Sequence, residues 1–260
     1  MVKILGARVD DVDMLQTLCL VQKYIDQFSK NGNSHYIVTL NAEIIYKAQE
    51  DPELLQIINT ADLVTPDGSG VLWAARQLSE PLKERVTGID LMVQVCQQAH
   101  HAGWRLYLFG SAPGVADLAA DNIREQFADI NIVGTRNGYF SPTEENYIIE
   151  DISEQKPDVL FVALGAPKQE KWINSHRHDL KAAVIIGVGG SFDVLAGNVK
   201  RAPVLWQKMR LEWLWRLLSD PRRLKRMMVL PKFMLLVKKS KRQREKNQEE
   251  IANKRGKKPF

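Results

Sequence analysis

Asp158-Val159-Leu160-Phe161-Val162-Ala163-Leu164-Gly165-Ala166-Pro167-Lys168-Gln169-Glu170-Lys171-Trp172 decides the fold. The near-continuous apolar run 158–164 predicts a strand covered on both faces. Pro167 suits the opening of a helix, predicted over 167–176. The same unit recurs on both sides. Strands are predicted over 104–109, 130–135 and 182–188, with helices over 113–127 and 142–155 between them. Upstream, Met14, Leu18, Val21, Ile25 and Phe28 recur at helical spacing, so 13–29 reads as an amphipathic helix. A strand over 35–40, helices opening at Asn41 and at Asp51-Pro52, and helices over 71–78 and 87–101 complete the pattern. Strands alternating with helices predict an α/β fold: a Rossmann-like, mostly parallel sheet with helices on both faces.

Composition supports one such domain with an appendage. The chain has 260 residues and two cysteines, Cys19 and Cys96, both in helix-patterned segments without disulfide or zinc spacing. They are expected to be reduced core residues of a cytosolic protein. No signal peptide is expected, because Met1 to Leu20 holds Asp10, Asp11 and Asp13 and no apolar stretch. No run reaches the ~18 apolar residues of a membrane span. The net charge of +5 hides an asymmetry: from Asn198 onward there are 20 Lys/Arg against 5 Asp/Glu, leaving 16 against 26 in the body. An acidic body with a basic tail points to a polyanionic partner, membrane or nucleic acid.

Several strand ends could carry chemistry. In Val64-Thr65-Pro66-Asp67-Gly68-Ser69-Gly70 a lone aspartate sits on a Pro/Gly-rich turn between an apolar run and a helix. Open α/β sheets bind ligands at that edge. The alternative is that Asp67 caps the next helix. Phe109-Gly110-Ser111-Ala112-Pro113-Gly114 and the turn around Gly189 have the same strand–glycine–helix form, and backbone N–H groups at helix starts suit phosphate. Gly110, Ser111 and Gly189 are therefore candidate ligand contacts. Gln169 falls in the first turn after Pro167; it either faces this crevice or belongs to a solvated polar turn. Thr39 and Asn41 close the strand 35–40 and could hydrogen-bond a sugar, or cap the following helix. Arg85 is a candidate diphosphate clamp by virtue of its planar fork of donors, or an ordinary surface arginine.

No metal site is expected. Asp11-Val12-Asp13 lies at a helix start, where acidic residues favour the dipole, and the histidines lack ligand spacing. The full GxGxxG fingerprint is missing, which weighs against the rival reading, a nucleotide-sugar oxidoreductase or epimerase, and no nucleotide cofactor is expected. The tail combines Leu205, Trp206, Met209, Trp213 and Leu217 with Lys208, Arg210 and Arg216, followed by further basic helices broken at Pro221 and Pro231. Basic helices with Trp/Leu/Met faces are the composition of interfacial membrane binders, and each Lys/Arg near an anionic leaflet adds about 1 kcal/mol. No groove-reading motif accompanies them, so nucleic acid is not expected as the partner. The expected organisation is a core over 1–197, a basic amphipathic appendage over 198–242 and a disordered tail over 243–260.

Taken together these stretches resemble the WecG/TagA/CpsF family of bacterial glycosyltransferases. The resemblance is carried by Thr39-Leu40-Asn41-Ala42-Glu43, Pro66-Asp67-Gly68-Ser69-Gly70, Arg85-Val86-Thr87-Gly88-Ile89-Asp90-Leu91 and the 109–114 and 164–170 turns. Arg136-Asn137-Gly138-Tyr139-Phe140, Arg201-Ala202-Pro203 and Leu211-Glu212-Trp213-Leu214 extend it over about 6–230. It implies transfer of an N-acetylhexosamine, N-acetylmannosamine or its uronic acid, from a UDP-sugar to N-acetylglucosamine on a polyprenyl diphosphate at the cytoplasmic membrane face. It also implies inversion, no required metal, Asp67 as the catalytic base, Thr39, Asn41, Arg85 and Gln169 around the pocket, and Arg216, Arg223 and Arg226 on the diphosphates. Which hexosamine is moved, and whether a second copy of the chain is a partner, stay open at this point.

Overall fold

The computed structural model describes residues 1–200, 202, 203, 206, 209, 214, 215 and 228–256, with the backbone alone for 248–256. Six parallel strands form the sheet: β3 (His35–Leu40), β4 (Leu63–Pro66), β5 (Leu106–Gly110), β6 (Ile132–Arg136), β7 (Val159–Ala163) and β8 (Val184–Gly187), in the order β4-β3-β8-β7-β5-β6. The expected α/β architecture is what the chain adopts.

Alternation along each strand divides the core into two halves. Leu160 and Val162 of β7 pack into one cluster with Tyr36, Val38 and Leu40, while Val159, Phe161 and Ala163 join Ile37 and Ile186 in the other. Each fully buried Leu, Val, Ile or Phe contributes about 1.5–3 kcal/mol, so both faces are firmly covered. The helices α1 (Met14–Asn31), α2 (Ala42–Lys47), α3 (Pro52–Thr60), α4 (Ser69–Gln77), α5 (Gly88–Ala102), α6 (Val115–Gln126), α7 (Glu145–Gln155) and α8 (Lys168–His176) lie between the strands in chain order, and α9 (Ser191–Leu195) follows β8. Local chemistry sets their ends. Asp13 closes a capping box on α1, Asp51 caps α3 with Pro52 in its first turn, and Thr87 caps α5.

Three features depart from the sequence expectation. The first residues form an antiparallel hairpin, β1 (Val2–Ile4) with β2 (Ala7–Val9), turned by Leu5 and Gly6 at φ of 50° and 85°. Beyond it, Asp10 exchanges two hydrogen bonds with Val64, backbone N–H to Val64 O and Oδ2 from Val64 N, each 2.9 Å, and so covers the outer edge of β4. Cys19 is exposed, because the buried positions Thr17, Val21 and Ile25 put it on the opposite side of α1; only Cys96 is a core thiol. Asp13 caps α1, the helix start expected there, and Asp11 accepts from Lys83 N at 2.8 Å.

The third departure is α10 (Val229–Gly256), which is helical through 243–256, where composition alone predicts disorder. Spaced pairs within the helix, Lys241–Glu245 at 3.9 Å and Gln243 Nε2 to Asn247 at 3.0 Å, help explain this. Phe233 and Val237 of α10 are fully buried in the core cluster that holds α2 and α4. Arg244 ties the helix down further along, with Nη1 2.7 Å from Glu80 and Nη2 donating to Lys3 O at 2.9 Å. Among the described residues no helix is long and apolar enough to cross a membrane.

Candidate active site

Neighbouring β5 and β7 send their outgoing connections to opposite sides of the sheet, β5 to β6 and β7 to β8. Their carboxyl ends therefore part, the arrangement that opens ligand crevices in such sheets. A cavity of about 1370 Å³ lies at these ends, lined by the turns after β3, β4, β5, β7 and β8 and roofed on one side by Leu230, Pro231, Phe233 and Met234 of α10. Gly70 is where the roof meets the body: a Cβ there would stand 3.1 Å from Ala42 Cβ and 3.9 Å from Leu230 Cδ2.

Asp67 lines this cavity with Arg85 and Gln169. Its backbone N–H donates to Leu40 O at 2.8 Å, continuing the β3–β4 pairing one residue past Pro66. The cap position of α4 belongs to Gly68, at φ 90° and without a side-chain cap bond, one residue beyond Asp67. Asp67 Oδ2 accepts the N–H of Gly88, the first residue of α5, at 3.3 Å. Arg85 is half-buried rather than on open surface: Val86 beside it is fully buried and donates its N–H to Pro66 O at 3.0 Å.

Thr39 and Asn41 line the cavity while also serving the fold. Thr39 Oγ1 donates to Gly187 O at 2.7 Å, linking the ends of β3 and β8. Asn41 Oδ1 accepts from Ile44 N at 3.0 Å as the cap of α2, so what Asn41 can offer a ligand is its amide N–H. Ser111 lines the cavity with its backbone N–H spent on Ala163 O at 2.8 Å. Gly110, outside the lining, is a packing glycine: at φ 134° its absent Cβ would fall 2.5 Å from the Ala163 backbone. Gly189 lines the floor, and its N–H goes to Gln169 Oε1 at 3.0 Å. Arg216, Arg223 and Arg226 lie outside the described residues.

The structure adds residues that the sequence reading passes over. Trp73 and Arg76, three apart on α4, both line the cavity, as do Asp193 and the apolar residues of α10. Lys168 lines it too; its ammonium stands 4.5 Å over the Phe140 ring. The three-residue spacing of Trp73 and Arg76 is a helical-face signal that could have found that pair. Nothing local marks the α10 residues, which tertiary packing brings to the site. Beneath the cavity Glu170 is fully buried, and burial pushes its carboxyl above the usual carboxylate range.

A parallel α/β sheet with a large crevice at its carboxyl edge, holding a carboxylate, an arginine and an amide, places the chain in the Rossmann-like class. Comparison with known proteins narrows it: the model of the glycosyl transferase WecG/TagA/CpsF family matches residues 2–247, and the chain belongs to that family. A protein of Bacillus spizizenii named N-acetylglucosaminyldiphosphoundecaprenol N-acetyl-beta-D-mannosaminyltransferase is 37% identical over 219 residues, 84% of this chain and 83% of the relative. One of the same name from Staphylococcus aureus strain MW2 is 35% identical over 241 residues, 93% of each chain.

Proposed function

We propose that this glycosyltransferase moves an N-acetylhexosamine, N-acetylmannosamine or its uronic acid, from a UDP-sugar to N-acetylglucosamine carried on a polyprenyl diphosphate, for cell-surface polysaccharide synthesis. The observation that carries the reading is the meeting of Asp67, Arg85 and Gln169 in one cavity, in a chain whose relatives are named for that transfer.

In this reading Asp67 takes the proton of the acceptor hydroxyl as its oxygen attacks the anomeric carbon. The new glycosidic bond forms on one face while the bond to the diphosphate breaks on the other, so the configuration inverts and UDP leaves. Arg85 meets the charge that grows on the departing diphosphate, a role in which preorganised donors replace a metal. Arg216, Arg223 and Arg226, assigned by family resemblance, act on the diphosphates from the appendage. We assign 1–197, completed by the buried face of α10, to the catalytic core and the basic surface of 198–242 to docking on the anionic inner face of the cytoplasmic membrane, where a lipid-linked acceptor is presented.

The test is to incubate the protein with a panel of UDP-N-acetylhexosamines and a polyprenyl-diphosphate-N-acetylglucosamine acceptor, with and without EDTA. Acceptor-dependent UDP release that survives EDTA is expected with the N-acetylmannosamine donor or its uronic acid. No release with any donor on the panel would remove the reading, and release abolished by EDTA would remove its metal-free form.

A further inference from the structure

Gln169 is held on three sides. Its Oε1 accepts the Gly189 N–H at 3.0 Å, and its Nε2 donates to Glu170 Oε1 at 3.0 Å. Its third contact is with β8: a Cβ on Gly187 would lie 2.3 Å from Gln169 Nε2 and 3.0 Å from its Cδ, so the amide fills the room that the glycine leaves. Gln169 itself is 3% exposed and Glu170 fully buried.

An acid is an expensive choice for that interior. Glu170 Oε2 has no hydrogen-bond partner among the described residues, and neither does the nearby buried hydroxyl of Tyr36. An apolar side chain of similar volume would avoid the desolvation cost. What an apolar side chain would not supply is an acceptor for Gln169 Nε2. The two ends of a glutamine amide have nearly the same shape, and only their hydrogen bonds tell them apart. With Glu170 Oε1 on the nitrogen side, a flip would set a carboxyl oxygen against Oε1 and set Nε2 against the Gly189 N–H, donor to donor. One N–H of Nε2 is then left as the donor that Gln169 can offer a ligand oxygen.

We propose that Glu170 and Gly187 are positioning residues that lock the Gln169 amide in one orientation, holding the Gly189–Gly190 turn at the floor of the cavity and aiming one amide N–H at an oxygen of the bound donor sugar-nucleotide. The part that concerns the donor rests on the function proposed above; the lock itself does not.

Gly187→Ala is the incisive variant. Gly187 lies in a strand, and the three atoms nearest to an added Cβ all belong to the Gln169 side chain, so the fold can survive while the amide is displaced. Loss of a hydrogen bond of ordinary strength corresponds to about a 10-fold change. In 15N-labelled protein, Gly187→Ala should raise the hydrogen-exchange rate of the Gly189 amide at least about 10-fold, with the protein still unfolding in one cooperative transition, and lower turnover by a similar factor. Glu170→Leu should do the same to exchange and turnover. Glu170→Gln keeps an oxygen for Nε2 and should restore both to within about 3-fold of the parent. A folded Gly187→Ala protein with parental Gly189 exchange overturns the lock, as does a Glu170→Gln protein as impaired as Glu170→Leu. Altered exchange with parental turnover overturns the role toward the donor. If the parent protein transfers nothing, the functional reading fails, and the exchange comparison still decides the lock.

Discussion

The Gly88 N–H donates to Asp67 Oδ2 at 3.3 Å, joining the turn after β4 to the first residue of α5. Asparagine can keep that bond through its carbonyl oxygen, so Asp67→Asn should still fold. It cannot take a proton from an acceptor hydroxyl. Positioned general bases contribute about 10²–10⁴-fold, and a loss of that size in turnover is expected with UDP affinity preserved. Turnover within a few-fold of the parent would take Asp67 out of the mechanism.

Asn41 has two duties that can be separated. Its Oδ1 caps α2, and its amide N–H is what remains for a ligand. Asn41→Ala should cost about 1 kcal/mol of stability through the lost cap. Asn41→Asp keeps the cap and removes the donor, so its denaturation midpoint should match the parent while turnover falls about 10-fold or more. Equal activity of the Asp variant and the parent would leave Asn41 with the cap alone.

How much of this was legible from the sequence follows from where the information lies. The parallel sheet is written locally: runs such as 158–164 are apolar throughout because β7 is buried on both faces, and turns such as 64–70 advertise themselves by proline and glycine. The gathering of Asp67 and Gln169 follows from strand direction, since parallel strands put their outgoing turns on one edge, whereas Arg85, beyond α4, is brought back by the Val86 N–H on Pro66 O. The hairpin β1–β2 escapes because three-residue strands carry too little periodicity. The burial of Phe233 and Val237 escapes for a different reason: their partners on α2 and α4 lie more than 150 residues earlier in the chain. Cys19 escapes because its apolar character does not tell its angular position on α1, opposite the buried Thr17, Val21 and Ile25.

The first turns of α10 divide into two faces. Phe233 and Val237, four apart, point into the core, while Met234 is 40% and Leu235 67% exposed beside the exposed Lys232, Lys238 and Lys239. Apolar tips among lysines suit insertion into an anionic leaflet. Replacing Met234 and Leu235 together by Glu should weaken binding to vesicles containing anionic lipid at least about 10-fold without lowering stability, because both already face solvent. Undiminished co-sedimentation of the double variant would move the docking surface elsewhere.

The two thiols differ sharply in environment. Cys19 is exposed, and Cys96 is 1% exposed with its titration pushed up to about 12 by burial. The thiolate is the reactive form, so Cys96 is both inaccessible and almost wholly protonated at neutral pH. Iodoacetamide on the native protein should label Cys19 alone, and denaturant should release Cys96 as the second site. Mass spectrometry of digested protein reads both. Rapid native labelling of Cys96 would contradict its place in the core.

Glu170 gives the protein a pH dependence with a definite sign. Burial raises its carboxyl above the ordinary range; the hydrogen bond from Gln169 and the Lys47 ammonium act in the opposite direction, and Glu43 adds to the rise. The Tyr36 hydroxyl is pushed well above its own usual value, first by burial and then by Glu170, so it does not titrate in the same window. Because the folded pKa of Glu170 is raised, the native state keeps a proton that the unfolded chain has already released. The stability this contributes is complete below the unfolded pKa and is lost as pH rises through the folded one. Glu170→Gln has no such proton to lose. Its melting temperature, followed at a series of pH values from the ordinary carboxylate range upward, should gain steadily on that of the parent and then run parallel to it. Curves parallel throughout would mean that Glu170 titrates as it does in the unfolded chain.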